Sequence, residues 1–191
     1  MLLLIVGIIV FFAPHSIRIV SETGRTALIQ RLGEGGYKGL YSILSFVGIA
    51  LIGYGYGDAR AVAPLVYVPP AGLQHLALLL VPLSLVAIVA AYAPAGRIKA
   101  LLRHPMVVGV GLWALAHLIA NGTAADLLLF GAFLVWAIFD FAASIRRQPK
   151  PAGSSGGWSR GDGIAIGIAL VASAALLGGL HLRLFGVSPL S

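Results

Sequence analysis

The stretch AGLQHLALLLVPLSLVAIVAAYA, residues 71–93, decides the fold class of this chain. It runs for 23 residues without Asp, Glu, Lys or Arg. About 20 apolar residues are enough for a helix to cross the hydrocarbon core of a bilayer. Five further apolar runs lie on either side of it, at residues 1–20, 39–57, 105–122, 124–145 and 163–182. The sequence therefore predicts an all-α integral membrane protein with six transmembrane helices in one bundle.

The composition excludes several other classes of protein. Hydrophobic residues make up 59% of the chain and charged residues 10%, whereas soluble domains carry about 25% charged residues. A soluble domain of 191 residues could not bury so much apolar surface. Because the chain has no Cys, we also exclude disulfides, thiolate-bound metals and covalently attached c-type haem.

Basic residues are spread unevenly over the loops expected between the apolar runs. Of the 13 Lys and Arg residues, 11 fall in the first, third and fifth loops, and two fall in the other loops and the tail. The positive-inside rule then predicts that both termini lie outside, on the periplasmic side of a bacterial inner membrane. The net charge of +7 is accounted for by this orientation. We therefore expect a lipid bilayer as the partner, and no nucleic acid.

One linker interrupts the pattern of apolar runs. The stretch QPKPAGSSGGWS, residues 148–159, is rich in Pro, Gly and Ser, a composition typical of flexible linkers. It indicates a five-helix membrane domain over residues 1–147, a cytoplasmic linker over 148–162 and a sixth helix with a short tail over 163–191. We expect this last helix to pack or anchor the chain.

Four of the five histidines lie in or at the ends of the predicted helices. They are His15, His75, His104 and His117. At about 1.5 Å per residue, His75 and His117 lie at similar distances from the outer ends of their helices. His15 and His104 both lie near the inner surface, so depth pairs His75 with His117 and His15 with His104. Ionisable groups at membrane depth usually face the interior of a bundle, and two histidines from different helices suit bis-His haem b. The alternative is that each histidine is interfacial or bonds a backbone carbonyl.

The fourth helix carries a polar stripe around one of these histidines. Trp113, His117 and Asn121 follow the spacing i, i+4, i+8 and so share one face. Gly109 and Gly111 in the same helix would allow a neighbouring helix or a flat ligand to come close.

The other polar residues favour structural roles. We expect Asp140 to pair with a nearby arginine, the candidates being Arg103, Arg18 and Arg146. Asp126 is placed to cap the fifth helix. Most tyrosines, Tyr56 among them, are expected in the aromatic belts at the membrane surface.

Three stretches together resemble the NnrU family of membrane proteins. The first joins PHSIR, residues 14–18, to RLGEGGYKGLYS, residues 31–42. The second is GLQH, residues 72–75, and the third joins RHPMVVG, residues 103–109, to LWALAHL, residues 112–118, and to Asn121-Gly122. The resemblance extends over about residues 1–147.

The resemblance implies a link to haem and to nitrogen oxides. Bacterial members are associated with nitrite and nitric oxide reduction in denitrification, so membrane redox or denitrification proteins are implied partners. The plant and cyanobacterial relative, 15-cis-ζ-carotene isomerase, is a haem b membrane enzyme in which two histidines are thought to ligate iron. The matching positions are His15 and His117, and His75 and His104 match further histidines. Trp113, Asn121, Arg103 and Arg18 complete the candidate cofactor-binding set.

The family and the depth argument disagree about the partner of His117, because the family pairs it with His15 and depth pairs it with His75. A tilt of the first helix, or a break at Pro14, would place His15 deeper and reconcile them. The chain departs from the isomerase in lacking the paired histidines expected in the fifth helix, and in its added linker and sixth helix. Haem binding is less affected by these departures than isomerase activity.

Two other functions compete with a haem protein. The motif Arg103-His104-Pro105-x3-Gly109 resembles the segment of isoprenylcysteine-type membrane methyltransferases that helps bind S-adenosylmethionine. Those enzymes also carry acidic and aromatic residues in a C-terminal pair of helices, where this chain offers Asp140. The third possibility is a non-catalytic assembly factor whose His and Arg residues stabilise the bundle.

Overall fold

The structure of the protein, a computed structural model, describes residues 1–148 and 157–190. The helices are α1 (Leu2–Val20), α2 (Glu22–Val62), α3 (Ala71–Tyr92), α4 (Arg97–Leu102), α5 (Pro105–Ala120), α6 (Ala124–Arg147), α7 (Arg160–Ala175) and α8 (His181–Phe185). A π-helical turn, Leu176–Leu180, joins α7 to α8. The described residues form no strand, and only an isolated antiparallel bridge joins Leu65 to Thr123.

Five helical segments within the described residues are long and apolar enough to cross a membrane. They are α1, α2, α3, α6 and the continuous run Arg160–Phe185, while α5 is shorter at 16 residues. Large apolar side chains on these helices are exposed, Phe46 by 74% and Phe139 by 63%, as expected of surfaces covered by lipid. The all-α, multi-pass membrane class is confirmed. The count of six spans, the single bundle and the position of the termini stay predictions.

The chain divides into two compact units. Unit 1 comprises Met1–Tyr67 and Thr123–Ala132, and unit 2 comprises Val68–Gly122 and the described residues from Phe133 onward. The predicted division into residues 1–147, 148–162 and 163–191 stays a prediction, because residues 149–156 of the linker lie outside the described residues. Helix α7 begins at Arg160, three residues earlier than the apolar run suggests, because Ser159 and an acidic residue in the first turn form a capping box.

In unit 1, α1 packs closely against α2 because glycines remove side chains from the contact. A Cβ atom on Gly7 would lie 2.7 Å from the backbone nitrogen of Ile52. A Cβ atom on Gly48 would lie 2.6 Å from the backbone nitrogen of Phe11. Small residues permit this approach of two backbones, which is a common source of helix association in membranes.

Prolines inside the helices do not break them. Helix α1 continues through Pro14 to Val20, and α3 continues through Pro82 to Tyr92. Membrane helices tolerate proline because neighbouring groups compensate the lost hydrogen bond. A break at Pro14 that would place His15 deeper is therefore wrong.

Helix α2 has two arms that meet at Gly33. Gly33 has φ 71° and ψ 161°, a backbone region that is essentially restricted to glycine. Residues 22–32 form the short arm and residues 34–62 form the long arm. The short arm was expected to be part of a loop because it is charged, but Ser21 caps its start by accepting a 2.9 Å hydrogen bond from the N–H of Gly24. Ion pairs one turn apart stabilise it further.

In unit 2, α5 packs closely against helices on two sides. A Cβ atom on Gly109 would lie 2.8 Å from the carbonyl oxygen of Ser84 in α3. A Cβ atom on Gly111 would lie 3.5 Å from the Cβ of Ala137 in α6. Of the two occupants expected beside these glycines, a neighbouring helix or a flat ligand, the structure places a helix.

The last long helix also belongs to the packing of unit 2. Ala90 and Ala93 of α3 form a buried cluster with Ala165 of α7, and Val89, Ile98 and Ile164 pack against it. These small side chains bring α7 against α3, which agrees with the packing role expected from its composition.

Candidate functional site

His117 lies half-buried in the last turn of α5 and is held by its own helix. Its Nδ1 lies 2.8 Å from the carbonyl oxygen of Trp113. Because a carbonyl only accepts hydrogen bonds, Nδ1 donates, and the lone pair of the neutral ring is on Nε2. Metal-bound histidines commonly donate their second ring nitrogen to a carbonyl in this way. His117 therefore has the tautomer that ligation through Nε2 requires.

The stripe around His117 is formed as its spacing predicts. The ring centroid of Trp113 lies 5.1 Å from that of His117 and 5.4 Å from that of Phe133 on α6. One turn further, the Nδ2 of Asn121 donates a 2.9 Å hydrogen bond to the carbonyl oxygen of His117. Asn121 thus caps the end of α5, whereas Trp113 provides an aromatic wall beside the imidazole.

His15 is held in the same manner in unit 1. Its Nδ1 lies 2.6 Å from the carbonyl oxygen of Phe11, so this nitrogen also donates and the neutral ring has its lone pair on Nε2. The imidazole stacks on the Phe11 ring at 4.2 Å and lies 4.9 Å from the Tyr41 ring of α2. Aromatic contacts on two sides fix the plane of the ring.

This tautomer does not by itself identify a ligand. The Nδ1 of His181, a residue outside the candidate set, lies 2.7 Å from the carbonyl oxygen of Val187. A histidine on a helix adopts the arrangement wherever a carbonyl is in reach. His181 therefore provides a matched reference for any test of His15 and His117.

Arg103 stands in a strained turn between α4 and α5. Its φ is 62° and its ψ is −51°, and the N–H of His104 donates a 2.6 Å hydrogen bond to the carbonyl oxygen of Leu102. This is a γ-turn, which strains a residue of positive φ that has a side chain. The Arg103 Nη2 donates to the carbonyl oxygen of Gln148 at 2.7 Å and ties the turn to the end of α6.

His104 occupies the N-cap position of α5, and one of its ring nitrogens is buried. Its Nε2 has no hydrogen-bond partner among the described residues, and the ring meets Phe141 edge-on with centroids 6.1 Å apart. Burial, and next the positive charge of Arg103, lower the pKa of His104 below its ordinary value of 6.5. The ring is therefore held in its neutral form at pH 7.

His75 is exposed in the second turn of α3. Gly109 of α5 is level with Ser84 and Ile88 of α3. The two helices are joined through the short α4 and pack along each other, so they run antiparallel. His117 is then level with about residue 78 of α3, so His75 lies about one turn away along the axis. This depth is close to the expected one, but the His75 side chain has an exposed position.

The candidate histidines are divided between the units. His15 belongs to unit 1, whereas His75, His104 and His117 belong to unit 2. Within the part of the chain that the structure describes, no group of three or more His, Asp or Glu gathers as it would around a metal ion. A haem held by two histidines does not require such a group.

The other basic candidate, Arg18, is engaged in an ion pair. Its Nε lies 3.1 Å from a carboxylate oxygen of Glu22, at the junction of α1 and α2. The prediction that Asp140 pairs with Arg103, Arg18 or Arg146 is wrong, because its carboxylate lies 3.6 Å from the Nη2 of Arg147. Residues seven apart on α6 lie two turns apart on nearly the same face, which brings Arg147 back towards Asp140.

Asp126 caps α6 as predicted and also binds a tyrosine. One carboxylate oxygen accepts from the N–H of Thr123 at 2.9 Å and from its hydroxyl at 2.6 Å. The other accepts from the Tyr56 hydroxyl at 2.6 Å, although Asp126 is only 2% exposed. The half-buried Tyr56 is thus a hydrogen-bond donor to a buried carboxylate, and its place in an aromatic belt stays a prediction. The sequence around Tyr56 does not indicate this partner, which lies 70 residues away.

Asp162 has a capping role that the sequence did not predict. Its carboxylate accepts hydrogen bonds from the N–H groups of Arg97 (3.0 Å) and Ile98 (2.8 Å) at the start of α4. It also accepts from the N–H of Ser159 at 2.8 Å, which starts α7. One carboxylate therefore caps two helices. The Ser-x-x-Asp spacing at 159–162 signals the capping of α7, and nothing in the sequence signals the capping of α4.

An apolar cavity of about 280 Å³ lies near His15 in unit 1. Pro14 and Ile17 of α1 line one side. Leu28 and Leu32 of the short arm, and residues of the long arm that include Tyr41, line the others. Because Tyr41 also contacts the His15 ring, the cavity adjoins that histidine through one aromatic side chain.

Comparison with known proteins is consistent with the resemblance that these histidine motifs carry. No curated protein and no solved structure matches the chain. The family model described as NnrU protein matches residues 3–189. The match extends past residue 147, so it includes the last long helix as well as the first five. This chain belongs to the NnrU family.

Proposed function

We propose that this NnrU protein binds haem b in the bacterial inner membrane, with His117 and His15 as the iron ligands. The proposal rests on the two histidine motifs, which lie within the NnrU match over residues 3–189. The local geometry supports it, because both histidines donate Nδ1 to a carbonyl oxygen of their own helix, at 2.8 Å and 2.6 Å. That hydrogen bond leaves Nε2 as the basic nitrogen and strengthens it as a ligand. The chain has no Cys, so ligation of haem iron by a thiolate is excluded.

Bound haem would supply an iron that changes oxidation state in a setting of low dielectric. The protein's own contribution is to hold the two imidazoles and to surround them with apolar groups. Trp113 stands beside His117, and Phe11 and Tyr41 enclose His15. Aromatic rings in these positions exclude water and restrict rotation of each imidazole. The family's association with nitrite and nitric oxide reduction makes membrane redox or denitrification proteins the proposed partners.

His75 and His104 are the proposed alternatives to His15. His75 lies close to His117 in depth but is exposed. His104 has a buried Nε2 without a hydrogen-bond partner among the described residues, and this nitrogen is the one it could offer to iron. Single variants of the four histidines separate these possibilities.

The test is an absorption spectrum of the full-length protein, purified in mild detergent after expression with a haem supply. We expect a Soret band, and sharp α and β bands after reduction with dithionite, which mark low-spin haem with two axial ligands. His117→Ala should abolish these bands. His15→Ala should convert the spectrum to that of a single-ligand haem. The matched control His181→Ala removes a histidine of the same tautomer and should leave the spectrum unchanged.

The outcomes also decide between the competing functions. A His75→Ala variant that loses the low-spin bands, with His15→Ala unaffected, would replace His15 by His75. A folded but colourless protein that takes up no added hemin would overturn the haem proposal. Binding of S-adenosylmethionine that disappears in Arg103→Ala would then support the methyltransferase. If neither ligand binds, the assembly factor is the function that stands.

A further inference from the structure

The cavity of unit 1 has walls and a rim of opposite chemical character. Its walls are apolar and come from α1, from the short arm of α2 and from the long arm. Small-molecule pockets range upward from about 300 Å³, so a cavity of 280 Å³ admits part of a chain-like apolar molecule. The kink at Gly33 sets the angle between the two arms of α2, so that residues of both arms line the space.

Two arginines stand one turn beyond the apolar walls. Arg18 follows Pro14 by four residues on α1, and Arg25 precedes Leu28 by three residues on the short arm, so each shares a face with a wall residue. Glu22 bridges them, at 3.1 Å from each guanidinium. The bridge holds both arginines at the rim and leaves one net positive charge there.

A tyrosine links this rim to the cavity. The Arg25 guanidinium lies over the Tyr37 ring, 5.8 Å from its centroid, and Tyr37 lines the cavity. On the long arm the lining runs from Tyr37 to Leu44, a depth of about 10 Å along the helix. The charged groups therefore lie at one end and the apolar lining runs away from them.

We propose that this cavity binds one anionic phospholipid of the surrounding membrane. The phosphate lies at Arg18 and Arg25, and an acyl chain fills the space between the two arms of α2. The short arm supports this arrangement because it is amphipathic. Its Leu28 and Leu32 line the cavity, Arg25 is half-buried at the rim, and Glu22 and Arg31 are exposed, as in helices that lie at a membrane surface. A charged head above an apolar slot matches an anionic lipid in both position and sign.

The experiment is native mass spectrometry of the delipidated full-length protein, titrated with phosphatidylglycerol or phosphatidylcholine in the same detergent. We expect one tightly retained phosphatidylglycerol, bound at least fivefold more tightly than phosphatidylcholine. Leu32→Trp fills the cavity and should abolish the retained adduct. Ile43→Trp places the same side chain on the exposed face of the long arm and should leave the adduct intact. Equal retention in both variants would overturn the proposal.

Charge variants test the rim independently of the cavity. Arg25→Gln should weaken phosphatidylglycerol binding several-fold without changing phosphatidylcholine binding. Glu22→Gln removes the competing carboxylate and should strengthen phosphatidylglycerol binding. Inorganic phosphate in excess should displace little lipid, because it lacks the chain. The proposed site would be contradicted by no preference for phosphatidylglycerol, by stronger binding in Arg25→Gln, or by weaker binding in Glu22→Gln.

Discussion

The junction around Asp162 and the charged end of unit 1 use polar residues in opposite ways. At the junction, residues 94–98 meet residues 159–162, and the Asp162 carboxylate accepts three backbone hydrogen bonds while only 3% of the residue is exposed. A Cβ atom on Gly96 would lie 2.5 Å from that carboxylate, so no space remains. At the charged end, the ion pairs of Glu22 are exposed and an open cavity lies beside them.

The difference separates residues that hold the fold from residues that can serve a ligand. A buried carboxylate with all its neighbours satisfied has no capacity left for another partner. Exposed ion pairs contribute little to stability, so the arginines beside the apolar cavity are placed to interact with a ligand. The junction should therefore respond to substitution mainly through stability, and the charged end mainly through ligands.

The largest stability effect should come from Gly161 at the junction. A Cβ atom there would overlap the carbonyl oxygen of Pro94, and two backbones cannot move apart cheaply. Gly161→Ala should lower the free energy of unfolding by about 2–3 kcal/mol. The control Gly163→Ala adds the same atom where nothing lies within 4 Å. Thermal unfolding in detergent, followed by circular dichroism, measures both, and equal stability of the two variants would show that the junction is not tightly packed.

A smaller effect is expected at Gly33, where α2 bends. An alanine at φ 71° and ψ 161° is strained, so Gly33→Ala should lower the free energy of unfolding by about 1–2 kcal/mol. It should also weaken phosphatidylglycerol binding, since the bend shapes the cavity. The control Gly35→Ala lies in helical backbone with open space around it and should be neutral or slightly stabilising. If both variants unfold alike in denaturant titrations, the bend is not held by Gly33.

The smallest effect should be the pH dependence due to His104. Its pKa is lowered in the folded protein by burial and by Arg103, so below pH 6.5 the unfolded chain takes up the proton more readily. Stability from the neutral ring is then present above pH 6.5 and declines as the pH falls below it. Unfolding midpoints measured between pH 5 and pH 8 should show this decline, and it should become shallower in His104→Gln. The exposed His75→Gln is the control that should retain it.

Sequence patterns were sufficient for the membrane helices and for contacts within one helix. Apolar length placed α1, α3, α5 and α6, and the i, i+4, i+8 rule placed Trp113, His117 and Asn121 on one face. Each of these depends on residues that are neighbours along the chain. Local motifs also indicated the NnrU family, which the family match over residues 3–189 confirmed.

Features that depend on distant residues or on opposing local signals were missed. The charges of the short arm indicated a loop, but it is helical and Ser21 caps its start. Tyr56 was expected in an aromatic belt, and nothing near it in the sequence indicated its hydrogen bond to Asp126, which lies 70 residues away. Asp162 was expected at the end of the linker, and its bonds to Arg97 and Ile98 require the packing of α7 on α3. Such contacts form only when the helices pack against each other, so the spacing of residues along the chain does not predict them.

The glycine in the π-helical turn after α7 has a consequence for how this segment fits a bilayer. A straight helix over the 26 residues Arg160–Phe185 would be about 39 Å long, well beyond a hydrocarbon core of about 30 Å. Gly179 leaves helical geometry with φ 111°, so the uninterrupted part ends after about 19 residues, or about 29 Å. The straight part of this segment therefore ends close to the thickness of one hydrocarbon core, and α8 does not continue along its axis.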